Sequence, residues 1–184
     1  MPGVFANLKR QARGNSNLGG IARLVCWAES DITTGWPKKA DIVAGEVTSA
    51  PTIVVCTIAA EFVFDKDTCR GKSSKKGKLG YQNYEHEVEA KFAGFDKTQY
   101  AAVEKFLNQG GVCVAYHKNG ARQVFGASWN PLEIEDSMDT GIKADDGRMV
   151  AFKAKADGFD FHAPFLADSV VLTTDTAAVV PQPF

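Results

Sequence analysis

Gly71-Lys72-Ser73 has the order with which phosphate-binding loops close, a lysine for phosphate charge followed by a hydroxyl. The full pattern needs a glycine five residues before Gly71, where Lys66 stands, and a helix directly after it. Neither condition is met, so no nucleotide site is expected. Around this triplet, Asp65 to Gly80 gathers six cations, Lys66, Arg70, Lys72, Lys75, Lys76 and Lys78, against Asp65 and Asp67. Clustered Lys and Arg supply salt-sensitive affinity for phosphates. Yet no aromatic that stacks on a base lies inside the stretch, since Tyr81 and Tyr84 come after it. A solvated or partner-seeking loop is the favoured reading, and nucleic-acid contact is the alternative.

The other reactive residues are scattered. Asp136, Asp139, Asp145 and Asp146 lack the alternate-position ligands, central glycine and distal glutamate of a calcium loop, so solvated carboxylates are expected. His86 lies on the apolar face of its segment, His117 at a hairpin end, and His162 in an aromatic stretch near Asp157 and Asp160. Spacing places no serine or cysteine beside any of them, so no nucleophile–base pair and no enzyme are expected. Cys26, Cys56, Cys69 and Cys113 form no CxxC pair, and three of them sit in apolar runs. They read as buried free thiols rather than zinc ligands. Trp27, Trp36 and Trp129 read as core or interface packing. No cofactor, metal or small-molecule substrate is implied.

These residues need a scaffold, and composition permits one. The 184 residues are 45% hydrophobic, enough for a sizeable core. Lys and Arg total 21 against 22 Asp and Glu, which favours neither a general nucleic-acid binder nor a membrane-surface protein. No run approaches the roughly 20 apolar residues of a membrane helix. The leading segment 1–20 carries Lys9, Arg10 and Arg13 without the apolar run of a secretory signal. A flexible arm on a chain made in the cytoplasm is expected, followed by a β-rich domain over 21–175 and a tail over 176–184.

Period-two alternation dominates the domain. From Tyr84 to Phe92, Tyr84, His86, Val88, Ala90 and Phe92 share one face while Glu85, Glu87, Glu89 and Lys91 share the other. Ile21–Trp27, Ile42–Thr48, Thr52–Phe64, Val112–His117, Arg122–Ser128, Leu132–Glu135, Arg148–Ala156 and Val170–Thr174 also read as strands, and Asp136–Arg148 as an acidic turn. Asn119-Gly120 predicts a hairpin with a type I′ turn. One helix is expected after Asp96, capped with Gln99, stapled by Phe95 and Tyr100, striped by Tyr100, Val103, Phe106 and Leu107, and stopped at Gly110-Gly111. The fold class is mainly β, an antiparallel sandwich or small barrel with that α-helix packed on it. Glu85, Glu87 and Glu89 would repel one another if unpartnered, so the basic 65–80 loop of a neighbouring copy is their expected complement.

A long loop between long strands, then one helix, then a hairpin resembles the tail tube proteins of tailed bacteriophages and the related tube subunits of contractile injection systems. The resemblance is an arrangement of elements over Ile21 to Ala156. It implies a virion tail protein without catalysis, assembling into stacked, hexameric rings through which DNA passes and contacting other tail proteins. It implies that the arm and the 65–80 loop reach neighbouring copies, and that the Glu85, Glu87, Glu89 face lines a lumen or an interface. A head–tail connector, a tail terminator, a capsid decoration protein and a nucleic-acid-binding module are the alternatives.

Overall fold

A computed structural model of the chain describes residues 19–54, 59–62, 64–65, 67–94, 97–104, 108–142 and 148–172. Lys9, Arg10 and Arg13 of the arm, Cys56, Lys66, Asp145, Asp146 and the 176–184 tail lie outside the described residues. The strands are β1 (Ile21–Ala28), β2 (Ile42–Val43), β3 (Glu46–Val47), β4 (Ala60–Phe62), β5 (Arg70–Lys76) and β6 (Asn83–Ala93). A helix α1 (Lys97–Glu104) follows, then β7 (Gly110–His117), β8 (Arg122–Phe125), β9 (Leu132–Asp139), β10 (Met149–Phe159) and β11 (Phe165–Leu166).

All eleven strands belong to one hydrogen-bonded sheet. It is mixed rather than purely antiparallel, because β11 runs parallel to β3. The main path is β2-β3-β11-β8-β7-β9-β10-β6-β5, with β1 joined to β7 and β4. The sheet forks at β7. Cys113–Tyr116 of β7 pair with β8, while Gly110 and Gly111 pair with the start of β9. One branch therefore carries β8, β11, β3 and β2, and the other carries β9, β10, β6 and β5.

The fork buries β1, β7 and β8 on both faces, which is why Val112-Cys113-Val114-Ala115 is apolar without alternation. On one side Leu24, Cys113 and Phe125 meet Val88, Ala90, Phe152 and Ala154 of β6 and β10. On the other, Val25, Trp27, Val112, Val114 and Val124 meet Trp36, Val47 and Leu166. A third cluster joins Ala127, Phe159 and Phe161. Among the described residues no helix is long and apolar enough to cross a membrane.

Several expectations change. The 65–80 segment is not a loop throughout: Arg70–Lys76 form strand β5, held by antiparallel pairing to β6 from Arg70↔Glu89 to Lys76↔Asn83. Its charges hid a strand because cross-strand pairing, not hydrophobicity, fixes its register. The acidic Asp136–Asp139 stretch, expected as turn, completes β9. The helix forms, but its packing on the sheet is not seen: among the described side chains none of α1 joins a core cluster, and Tyr100 is 44% exposed. Asp96, Phe95, Phe106 and Leu107 lie outside the described residues, and Gly110-Gly111 open β7 rather than close the helix.

The Asn119-Gly120 hairpin is present with a different turn. Gly120 has φ +88° but Asn119 is not left-handed, and the Gly120 N–H donates to His117 O at 2.9 Å. This is a three-residue connection with glycine in the left-handed position, stabilised where Asn119 Oδ1 accepts from Ala121 N–H. Of Thr52–Phe64 only Ala60–Phe62 is a strand among the described residues, and Val170–Leu172 form none.

Candidate functional site

The polar phases of β5, β6, β10 and β9 meet on one face and build a ladder of charge. The register Arg70↔Glu89, Lys72↔Glu87 and Ser74↔Glu85 sets a cationic column on β5 beside the glutamates of β6. Lys153↔Glu89 and Lys155↔Glu87 set a second cationic column on β10. Lys153↔Glu135 and Lys155↔Glu133 then bring an acidic column on β9. The order across the sheet is positive, negative, positive, negative, and opposed neighbours attract.

Of the β6 carboxylates, Glu85 and Glu87 are enclosed and Glu89 is half-buried. Glu85 is 4% exposed and accepts from Lys76 on one side and, at 3.0 Å, from Lys155 on the other. Glu87 lies 3.0 Å from Lys153 and 3.9 Å from Lys72. Glu89 accepts from Arg70 at 2.7 Å and lies 3.5 Å from Lys153. The Lys76 hydrogen bond holds the Glu85 carboxyl below its ordinary range against the opposing effect of burial, with Lys155 assisting. The Lys153 hydrogen bond does the same for Glu87. Reciprocally, Glu87 raises Lys153 and Glu85 raises Lys155. The expected partner for these glutamates in a neighbouring copy is thus corrected: the same chain supplies it.

The two outer strands differ. Among the described residues β5 pairs with β6 alone, and Glu135–Asp139 of β9 are exposed and pair only with β10 beyond the short β7 contact. Both therefore present open main-chain edges. The β5 edge carries Arg70, Lys72, Lys75 and Lys76, and the β9 edge carries Glu133, Glu135, Asp136 and Asp139. Those four acids form no ion pair among the described residues. Asp139 Oδ1 instead accepts from Gly141 N–H at 2.9 Å.

The opposite face of β5 explains the Gly71-Lys72-Ser73 triplet. A Cβ on Gly71 would stand 2.5 Å from Phe125 Cζ, so glycine lets β5 lie flat on the core instead of cradling phosphate. Ser73 Oγ accepts from Ala163 N–H at 3.1 Å and lies 3.0 Å from His162 Nδ1. This corrects the expectation that no serine neighbours a histidine. Tyr84 covers the His162 ring, centroids 4.1 Å apart. With its oxygen engaged by a backbone donor, the serine fastens the 160–164 segment to β5, an arrangement that favours support over nucleophilic attack.

His86 is buried in an aromatic box, stacked on Phe159 at 4.0 Å between centroids. Its Nδ1 accepts from Gly126 N–H at 3.2 Å, so Nε2 carries the proton and donates to Phe161 O at 3.1 Å. Burial depresses its pKa to about 4, against the bond to Phe161. His117 bonds Gln123 at 3.1 Å. Trp27 and Trp36 are buried, while Trp129 is 48% exposed and donates to Pro37 O. Asp157 accepts from Asn130 through its carbonyl, and Asp160 pairs with Lys39 at 3.1 Å, so neither is brought to His162. Lys78 is exposed in the turn between β5 and β6. No group of three metal-ligating side chains occurs among the described residues.

Lys153 and Lys155 were missed as site residues, although they occupy the polar phase of a strand whose apolar phase is Val150, Phe152 and Ala154. No family model matches the chain, and no curated protein or solved structure matches it.

Proposed function

We propose that the chain is a structural subunit that closes into rings by edge-to-edge strand pairing, β5 of one copy against β9 of the next. The carrying observation is the pair of open, oppositely charged edges on one four-stranded ladder. Strand direction is compatible: β5, β6, β10 and β9 alternate, so β9 meets a following β5 antiparallel. The charge order continues across the junction, because an acidic β9 column meets a cationic β5 column. Such a contact is head-to-tail, and head-to-tail contacts close into rings when the rotation permits.

Stacking of rings into a virion tail tube, six copies to a ring with DNA passing through, is the form that the resemblance to phage tail tube proteins adds. Leu79 and Tyr81 at one end of the ladder, and Ile142 at the other, are 92%, 85% and 95% exposed and offer apolar contacts between layers. The fork of the sheet at β7, with a core cluster on each of its sides, supports a sandwich-like or barrel-like subunit. The nucleic-acid alternative loses support, since Arg70, Lys72 and Lys76 already meet glutamates of the same chain.

Electron microscopy of the purified chain tests this reading together with Glu135→Lys and Lys72→Glu. Each single variant is expected to raise the concentration needed for rings roughly tenfold or more, and the double variant to recover part of the loss. Rings that never stack would favour a connector or terminator. Assembly unchanged in both single variants would sink edge pairing.

A further inference from the structure

Cys26 of β1 and Cys113 of β7 are directly opposed in antiparallel register. Both side chains enter the cluster formed with Leu24 and Phe125, and both thiols are free. Opposed antiparallel residues have Cα atoms roughly 4.5 or 5.5 Å apart. Disulfides span roughly 4.4–6.8 Å, so the strands already stand at bridging distance.

We propose that Cys26 and Cys113 are an oxidation site that a peroxide converts to a cross-strand disulfide, pinning β1 to β7. The Cys26 thiolate attacks a peroxide oxygen. An S–O bond forms, the O–O bond breaks, and the released hydroxide takes up the thiol proton as water. Cys113 then attacks the sulfenic sulfur; the S–S bond forms and a second water leaves. Two thiols lose two electrons and two protons, and one hydrogen peroxide becomes two waters.

The fold controls when this happens. Cys113 is fully enclosed and Cys26 is 6% exposed, so the first step falls to Cys26. Burial pushes the Cys26 thiol well up and Cys69 to about 12, which keeps thiolate scarce in the closed state. On its far side β1 is held by β4, paired over three residues, Leu24↔Phe62 to Cys26↔Ala60. Release of that short strand uncovers the backbone at Cys26. Oxidation is thus coupled to opening of the sheet margin, and the product locks the two central strands. Cys69 has no opposed cysteine in the register and is a bystander. The inference stands independently of ring formation.

The test exposes the intact chain to hydrogen peroxide, first in buffer and then in sub-denaturing urea, followed by thiol counting and peptide mapping without reductant. Two of the four thiols are expected to disappear, with a peptide joining Cys26 to Cys113. Cys69→Ser should oxidise in the same way and Cys113→Ser should not. Closing a loop of about 90 residues should raise the Tm by roughly 5–10 °C, reversibly with reductant. A linked peptide containing Cys69 or Cys56, four free thiols after the urea step, or a lowered Tm on oxidation would each overturn the proposal.

Discussion

Two acidic columns run along the same charged ladder, and they are in opposite condition. Glu85, Glu87 and Glu89 on β6 sit between two cationic strands and are paired with lysine and arginine heads, Glu85 and Glu87 being buried among them. Glu133 and Glu135 on β9 have opposed cations on one flank only, Lys155 and Lys153, and no ion pair among the described residues. Residue type does not separate the columns; position in the sheet does. An interior strand has two neighbours to neutralise it, while an edge strand has one and leaves half its interactions for another chain. The inner column therefore belongs to stability, and in the ring proposed above the outer one would serve association.

The largest effect should come from Glu85→Lys. It replaces an enclosed carboxylate with a third ammonium among Lys76 and Lys155. Uncompensated charge in such a setting costs roughly 3 kcal/mol or more. Urea unfolding should show that loss, whereas Glu135→Lys should leave the midpoint almost unmoved. Equal midpoints for the two variants would dissolve the contrast between inner and outer columns.

Acid separates the same regions by titration. His86 has its folded pKa depressed to about 4 by burial, below the ordinary value of about 6.5. Between those values the unfolded chain binds the proton and the folded chain does not, so stability falls as pH drops from about 6.5 to 4. The loss is of the order of 3 kcal/mol. The lowered carboxyls of Glu85 and Glu87 add stability that is present above the ordinary carboxylate range and lost as pH falls through their folded values. Thermal melts of His86→Phe should lose the upper part of the slope and keep the lower part. An unchanged slope between pH 6.5 and 4 in that variant would remove His86 from the account.

Much of this was legible in the residues. Alternation from Tyr84 to Phe92 defined β6 and its two faces, because a half-buried strand writes period two into its sequence. The strand β5 was not legible, since Arg70-Gly71-Lys72-Ser73-Ser74-Lys75-Lys76 has no apolar phase. Its inward positions are Gly71, which gives way to Phe125, and Ser73, which bonds Ala163 and His162. Both depend on partners far along the chain. The enclosure of Glu85 was hidden for a similar reason: Lys155 lies 70 residues away and meets it only after β10 pairs with β6. Periodicity alone puts His86 on the apolar face, yet its tautomer requires the positions of Gly126 and Phe161.

Ser73→Ala probes whether the inner column depends on β5 being held in place. It removes the acceptor for Ala163 N–H and the contact to His162, and should cost about 1 kcal/mol of stability. Hydrogen exchange should quicken along β5 and leave β9 alone. Quickened exchange along β9 as well would mean that the two edges are coupled through the ladder.

The smallest effect is the most discriminating. Glu135→Gln removes one charge from the outer column while preserving size and exposure. An exposed carboxylate with no ion pair among the described residues contributes little within the chain, so monomer stability should shift by less than roughly 0.5 kcal/mol. Across an edge-to-edge junction the same carboxylate faces a cationic strand, and the deficit repeats at every junction of a ring. Assembly measured by light scattering against salt should therefore weaken and become less salt-sensitive, while the melting temperature of the monomer stays put. A variant that melts earlier yet assembles normally would reverse the assignment, placing the β9 acids with the fold and leaving the basic edge of β5 without its complement.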